Sequence, residues 1–287
     1  MISLRAVSPG GSTAVGCSAI TTNETGSQTP LMQELPRQSP RRFTLVLLLA
    51  LLSANTPALA DDVRVAVASN FSAPMQVLTQ AFENETHNHL IVSYGATGKL
   101  YTQIQQGAPF DAFLAANDSY PRMLEKNAMA VAGSRFTYAI GRLALWSAKP
   151  GYIDDKGQIL RTGAFKHLAL ADPEAAPYGS AAKEYLRAHG LLRKTTSRLL
   201  IAENTAQAYQ YVETGRAELG FVALSQLASN SDANHTGSTY ILPLESYPRL
   251  KQQAILLRPK DAAAAWLAFL QSDNARNIIL QYGYLLP

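Results

Sequence analysis

One cysteine, Cys17, stands in the 287 residues of the chain. No disulfide framework can be built from it, and beyond that N-terminal position there is neither a thiol nucleophile nor a thiolate metal ligand. Charge is sparse as well. Asp, Glu, Lys and Arg make up 16% of the residues and the formal net charge is +4. Four Lys/Arg and two Asp/Glu lie before Asp61, so the remainder is close to neutral. No dense basic stripe appears, and a nucleic-acid partner has no electrostatic footprint here. Long apolar runs are lacking: residues 43–52, FTLVLLLALL, are too few to span a bilayer comfortably. The G-x-S-x-G, Walker A and H-E-x-x-H patterns are all absent. Gly95-Ala96-Thr97-Gly98-Lys99 has the small residues of a phosphate loop without its spacing.

What is present begins with a leader. Arg37, Arg41 and Arg42 precede the apolar run, and Ala58-Leu59-Ala60 follows as a small-x-small cleavage site. This order reads as a secretory signal peptide. Met32, just upstream of the basic cluster, is an alternative start. Residues 1–60 are therefore set aside as an extension and signal that are removed. No cysteine follows Ala60, so a lipid anchor at that point is not available. The exported part, residues 61–287, must be held by an ordinary apolar core and is long enough to build one or two.

Residues 63–68, VRVAVA, alternate and read as a strand; Met75, Leu78, Ala81 and Phe82 form a helical stripe over residues 73–85. Strand patterns follow at 90–93, 110–115, 168–171, 199–202 and 219–223. Helical patterns follow at 99–106, 181–189, 206–214 and 261–270, with Gly190 as a stop after the second. This alternation argues for an α/β fold with parallel or mixed sheets flanked by helices. Residues 135–147 and 251–257 are extended and are candidate crossover strands. They divide the chain into a discontinuous lobe, 61–141 with 252–287, and a continuous lobe, 142–251.

A small polar loop before a helix recurs. It appears as Ser69-Asn70, Gly95-Ala96-Thr97-Gly98, Pro177-Tyr178-Gly179-Ser180 and Glu203-Asn204-Thr205. The first N–H groups of a helix have no intrahelical acceptor and carry partial positive charge, so they bind anions without a cationic side chain. Such loops gather at the carboxyl ends of strands in open α/β sheets. Each taken alone reads first as an ordinary N-cap; the repetition is what suggests a shared ligand.

Other candidates are weaker. His87 and His89, with Glu83 and Glu85, lack a third ligand at a recognisable spacing and read as a solvated helix end, so no metal cation site is expected. Asp111 and Asp118 flank a short apolar run; Asp111 reads as a local cap or pair and Asp118 as the start of a helix. No constellation calls for catalysis, and no cofactor is expected.

Four separated stretches carry a resemblance in the right order: VRVAVASNFSAPMQVLTQAFE, SYGATGKLYTQIQQGAPFDAFLAAN, LALADPEAAPYGSAAKEYL and AENTAQAYQYVETGRAELGFVALSQL. Together they resemble the periplasmic molybdate-binding proteins of molybdate ABC transporters, over essentially all of residues 61–287. The resemblance implies a two-lobed periplasmic binding protein of type II-like fold with two crossover strands. It implies molybdate or tungstate held in the interlobe cleft by hydroxyls and backbone N–H groups. Carried over residue by residue, it implicates Ser69 and Asn70, Thr97 (with Ala96 where some members have serine), Tyr178, and Thr205 through its backbone N–H. The molybdenum is bound as its oxyanion by these residues and not as a cation.

One departure stands out. Many members carry a binding tyrosine where this chain has Ala223, and Tyr178 is the residue able to supply the hydroxyl instead. The implied function is capture of the oxyanion by a periplasmic monomer and delivery to the membrane permease of an ABC importer. Donors alone favour a fully deprotonated dianion, so phosphate is expected to bind weakly, and size separates molybdate from sulfate. The alternatives are a binding protein for sulfate or another oxyanion, an exported α/β enzyme acting on an anionic ligand, and a sensing module that docks on a receptor. Turnover and a titratable acid or base distinguish the enzyme.

Overall fold

The computed structural model describes residues 61–228 and 237–287. The leader read at residues 37–60 lies outside the described residues. Two five-stranded mixed sheets form the frame.

Period-2 alternation sets the first sheet. In β1 (Asp62–Ala68) Val63, Val65 and Val67 enter one apolar cluster and Ala66 enters another, as strand geometry requires. A 3₁₀ turn, Ser69–Phe71, leads into α1 (Ser72–Thr86), which lays Met75, Leu78 and Phe82 on the valine face. Then come β2 (His89–Gly95), α2 (Thr97–Gln105), β3 (Ala112–Ala115), α3 (Ser119–Lys126) and β4 (Phe136–Gly141). Leu100, Tyr101, Ile104 and Leu124 cover the opposite face against Ala66, Phe113 and Ala115.

The chain then changes sheets. β5 (Leu143–Ser147) follows β4 after a single residue, Arg142, yet pairs with other partners. The single strand expected over 135–147 is therefore two. Each half takes its hydrogen bonds from a different sheet, which one straight strand cannot do.

The second sheet is filled by β6 (Leu168–Ala171), α4 (Pro177–Ala188), β7 (Leu199–Ala202), α5 (Thr205–Glu213), β8 (Leu219–Ala223), α6 (Leu224–Ala228) and β9 (Ser238–Ile241). Its order is β7-β6-β8-β5-β9, with β6 parallel to both β7 and β8. Leu143, Leu145, Leu168, Leu170 and Phe221 pack on Ala182, Tyr185 and Leu186 of α4. On the other face Trp146 stacks on Tyr209, with ring centroids 4.6 Å apart.

Residues 242–249 lead back to β10 (Leu250–Leu256), which is antiparallel to β3 and β4 and completes the first sheet in the order β2-β1-β3-β10-β4. Then α7 (Asp261–Phe269) and α8 (Asp273–Gln281) close the valine face with Trp266, Phe269, Ile278 and Ile279. The pattern reading did not include α8, although Ser272 caps it by accepting the Ala275 N–H at 3.2 Å. Among the described residues no helix is long and apolar enough to cross a membrane.

Phe82 is fully buried and packs edge-on to Trp266 at 5.3 Å and tilted to Phe269 at 5.6 Å. Phe82→Ala should destabilise the fold by about 3–5 kcal/mol in urea unfolding. A loss below about 1 kcal/mol would mean that this cluster can collapse onto the cavity.

Candidate functional site

β1, β2 and β3 run parallel in the first sheet, and β6, β7 and β8 run parallel in the second. Ser69 follows β1 and Thr97 follows β2; Tyr178 follows β6 and Thr205 follows β7. All four loops thus leave the carboxyl ends of parallel strands, where open α/β sheets hold ligands. The two sets of ends meet. The Gly98 N–H donates to the Ala175 carbonyl at 2.8 Å, the Ser225 hydroxyl donates to the Asn70 carbonyl at 2.8 Å, and Lys99 pairs with Glu203 at 2.7 Å. Ala96 packs against Ala171 and Ala176 between them.

The five expected residues are all buried at this junction: Ser69 is 3% exposed, Asn70 1%, Thr97 1%, Tyr178 2% and Thr205 3%. Three helices begin earlier than their apolar patterns suggest. α2 starts at Thr97 rather than near Lys99, α4 at Pro177 rather than Ala181, and α5 at Thr205 rather than Ala206. The reason is local. Pro177 has its φ already set for the first helical position, and the Asn204 side chain accepts the Gln207 N–H at 3.0 Å as an N-cap. Thr97, Tyr178 and Thr205 consequently lie in first turns, where backbone N–H groups lack acceptors within the helix.

Their side chains differ in what they can offer. The Thr97 hydroxyl oxygen accepts the Ala116 N–H at 3.3 Å and keeps its own proton to donate. Asn70 is committed: its Nδ2 donates to Gln252 Oε1 and to the Tyr284 hydroxyl, each at 3.0 Å. With both amide protons engaged, Asn70 has only its backbone N–H to present to an anion. Thr205 is held through its carbonyl, which accepts from Gln226 Nε2 at 3.2 Å, while Gln226 Oε1 accepts the Ala223 N–H at 2.9 Å. Ala223 itself is fully buried and contributes no hydroxyl.

Tyr178 reaches across the junction, and its hydroxyl oxygen accepts from Gln252 Nε2, in β10, at 3.1 Å. Two glycines make room for it. A Cβ on Gly141 would lie 2.2 Å from the Tyr178 hydroxyl and 2.7 Å from Gln252 Nε2. A Cβ on Gly179 would lie 2.0 Å from the Ala171 carbonyl oxygen, so only glycine lets the first turn of α4 sit on the end of β6.

Gln252, Tyr284, Ser225, Gln226 and Tyr138 were not singled out from the sequence, yet they hold the expected residues in place. The signals available were slight: a glutamine pair in the otherwise apolar strand LKQQAIL, and a tyrosine in the C-terminal tail. Burial raises the Tyr138 and Tyr178 phenols well above their ordinary pKa, and the nearby Tyr284 adds to it. Burial pushes Tyr284 up to about 12, against side-chain hydrogen bonds shared with Ser225, Asn70, Gln252 and Tyr178. All three remain protonated at physiological pH.

Among the described residues the buried polar side chains are neutral except Asp111. That carboxylate accepts the Arg64 N–H at 2.9 Å and lies 3.9 Å from Lys260. Its partners are distant in the chain rather than local, because β1 and β3 are adjacent strands. Asp118 begins α3 and pairs with Arg122 at 3.0 Å. His89 lies 3.6 Å from Glu83, and among the described residues no group of three or more His, Cys, Asp or Glu is placed to hold a metal ion.

Residues 63–285 match the family of bacterial extracellular solute-binding proteins. The chain belongs to that family. It is 50% identical over 230 residues to the molybdate-binding protein ModA of Azotobacter vinelandii, covering 79% of this chain and 91% of the relative. It is 42% identical over 232 residues to ModA of Rhodobacter capsulatus, covering 80% and 90%. The solved periplasmic molybdate-binding protein of Azotobacter vinelandii superposes with a TM-score of 0.74 at 36% identity, covering 78% of this chain and 99% of that one. All three are named as molybdate-binding proteins.

Two outcomes follow for this solute-binding protein. Gly141→Ala should displace the Tyr178 hydroxyl, leave Gln252 Nε2 unpaired and cost about 1–3 kcal/mol in denaturant unfolding. An unchanged midpoint would show that the phenol has room to move. The second outcome concerns pH. A phenol whose pKa rises on folding adds stability that is complete below its unfolded value of 10.0 and is lost as pH climbs through the folded value of about 12. Unfolding midpoints should therefore fall above about pH 10, and less steeply in Tyr284→Phe. Equal slopes in the two proteins would remove Tyr284 as a source of the effect.

Proposed function

We propose that this solute-binding protein captures molybdate or tungstate at the junction of the two sheets and delivers it to the membrane permease of an ABC importer. The observation that carries the reading is the buried, neutral set of donors at opposed strand ends. It coincides with close sequence relatives named for molybdate. Ser69 and Thr97 offer hydroxyls, Tyr178 offers a phenol, and the first-turn backbone of Asn70 and Thr205 offers N–H groups. Oriented dipoles replace the water shell of a dianion without a counter-charge, and charge-assisted hydrogen bonds of this kind are the strong ones.

In this reading residues 61–141 with 252–287 form one lobe and 142–251 the other. Closure is a hinge motion at Gly141-Arg142 and along residues 242–249, with the ligand bridging the lobes. The signal at residues 37–60 directs export to the periplasm, and the protein acts as a monomer. Tyr178 stands in for the hydroxyl that Ala223 lacks. Sulfate is the rival ligand, since the loss of one donor from β8 alters the cage.

Calorimetric titration with molybdate, tungstate, sulfate and phosphate is the direct test. One-to-one binding of the first two is expected, with sulfate and phosphate at least about a hundredfold weaker, a difference of roughly 2.7 kcal/mol. Thr97→Val should weaken molybdate about tenfold. Sulfate binding as tight as molybdate would replace the proposed ligand, and silence from all four anions would overturn the transport reading.

A further inference from the structure

We infer that Gln252 is a positioning residue that aims the Tyr178 hydroxyl, so that this phenol is free to donate its proton to the bound anion instead of to the Gln252 amide. The inference rests on the reading of the junction as an oxyanion site.

Gln252 is 0% exposed in β10, and its amide oxygen takes two donors: Asn70 Nδ2 at 3.0 Å and the Tyr138 hydroxyl at 3.1 Å. Neither donor is easily turned round. The Asn70 amide is also tied to Tyr284 through the same nitrogen. The Tyr138 phenol is buried and protonated, and needs an acceptor. Two donors on Oε1 fix the orientation of the amide, so Nε2 must face Tyr178, where it lies 3.1 Å from the phenol oxygen.

A phenol oxygen that accepts an N–H sends its single proton elsewhere, toward the neighbouring Tyr284 hydroxyl or a bound anion. Flipping the Gln252 amide would reverse this. Oε1 would then take the Tyr178 proton, Nε2 would face the Asn70 Nδ2 donor, and the buried Tyr138 proton would lose its acceptor. The amide and the phenol meet where Gly141 has no side chain, so they share one small space with little freedom to rearrange. Gln252 thereby turns the phenol into a donor and selects fully deprotonated oxyanions, because a protonated one needs an acceptor at that position.

The test is a double-mutant cycle read by titration with sodium molybdate, with thermal melts of each unliganded protein. Gln252→Met and Tyr178→Phe should each weaken binding about tenfold, and the double variant should be no weaker than either single one. Gln252→Glu keeps an acceptor for Asn70 and Tyr138 but loses the donor to Tyr178, so it should bind no better than Gln252→Met. Additive losses, near a hundredfold in the double variant, would overturn the inference. So would wild-type affinity in Gln252→Glu, which would place the role of Gln252 in supporting Asn70. A wild-type protein that binds no molybdate would instead bring down the reading of the site, and this inference with it.

Discussion

The junction depends on one constraint: polar groups taken out of water must find partners. Asn70, Gln252 and Tyr284 come from the first sheet and its covering helices, while Ser225 and Tyr178 come from the second. Between them every hydrogen bond runs across or beside the seam. Other contacts also join the sheets: the Gly98–Ala175 backbone bond, the Lys99–Glu203 pair and a small alanine cluster. The network adds to the register they set, because sliding one sheet against the other leaves buried amides and phenols unpaired.

The same constraint explains why the site is neutral. A buried cation would bind an anion more strongly but would be costly in the empty state. Hydroxyls and helix N-termini can be satisfied internally or by water when no ligand is bound. The charged pair that spans the seam, Lys99 and Glu203, keeps its side chains about half exposed. Asp111, the buried carboxylate, is held on the Arg64 N–H and precedes β3, at the end of that strand away from the junction.

Packing ties this arrangement to the core of the first sheet. Phe71 lies directly after Asn70 and packs edge-on to both Tyr138 and Tyr284, at 4.9 and 5.3 Å. The apolar core of the first sheet therefore ends on the rings whose hydroxyls build the polar network. A shift in the core is felt at the hydroxyls, which ties the stability of the fold to the geometry of the site.

The strands, the amphipathic helices and the small polar loops were legible in the sequence because they rest on local periodicity and on the chemistry of caps. Val63, Val65 and Val67 declare a strand face; Met75, Leu78 and Phe82 declare a helix face; Asn204 declares a cap. The identity of Ser69, Thr97, Tyr178 and Thr205 as candidate donors came from those loops together with a family resemblance. What the sequence alone could not show is which polar residues serve the site from a distance. Gln252 lies 182 residues from Asn70 and 74 from Tyr178. It reads as one more glutamine in a strand until the sheets are assembled. Residues 135–147 likewise read as one extended run crossing between lobes, and only the pairing partners reveal that its halves on either side of Arg142 belong to two sheets. Local pattern determined the elements and their ends. The tertiary structure decided which hydroxyls donate, because the direction of a hydrogen bond depends on what lies on its other side.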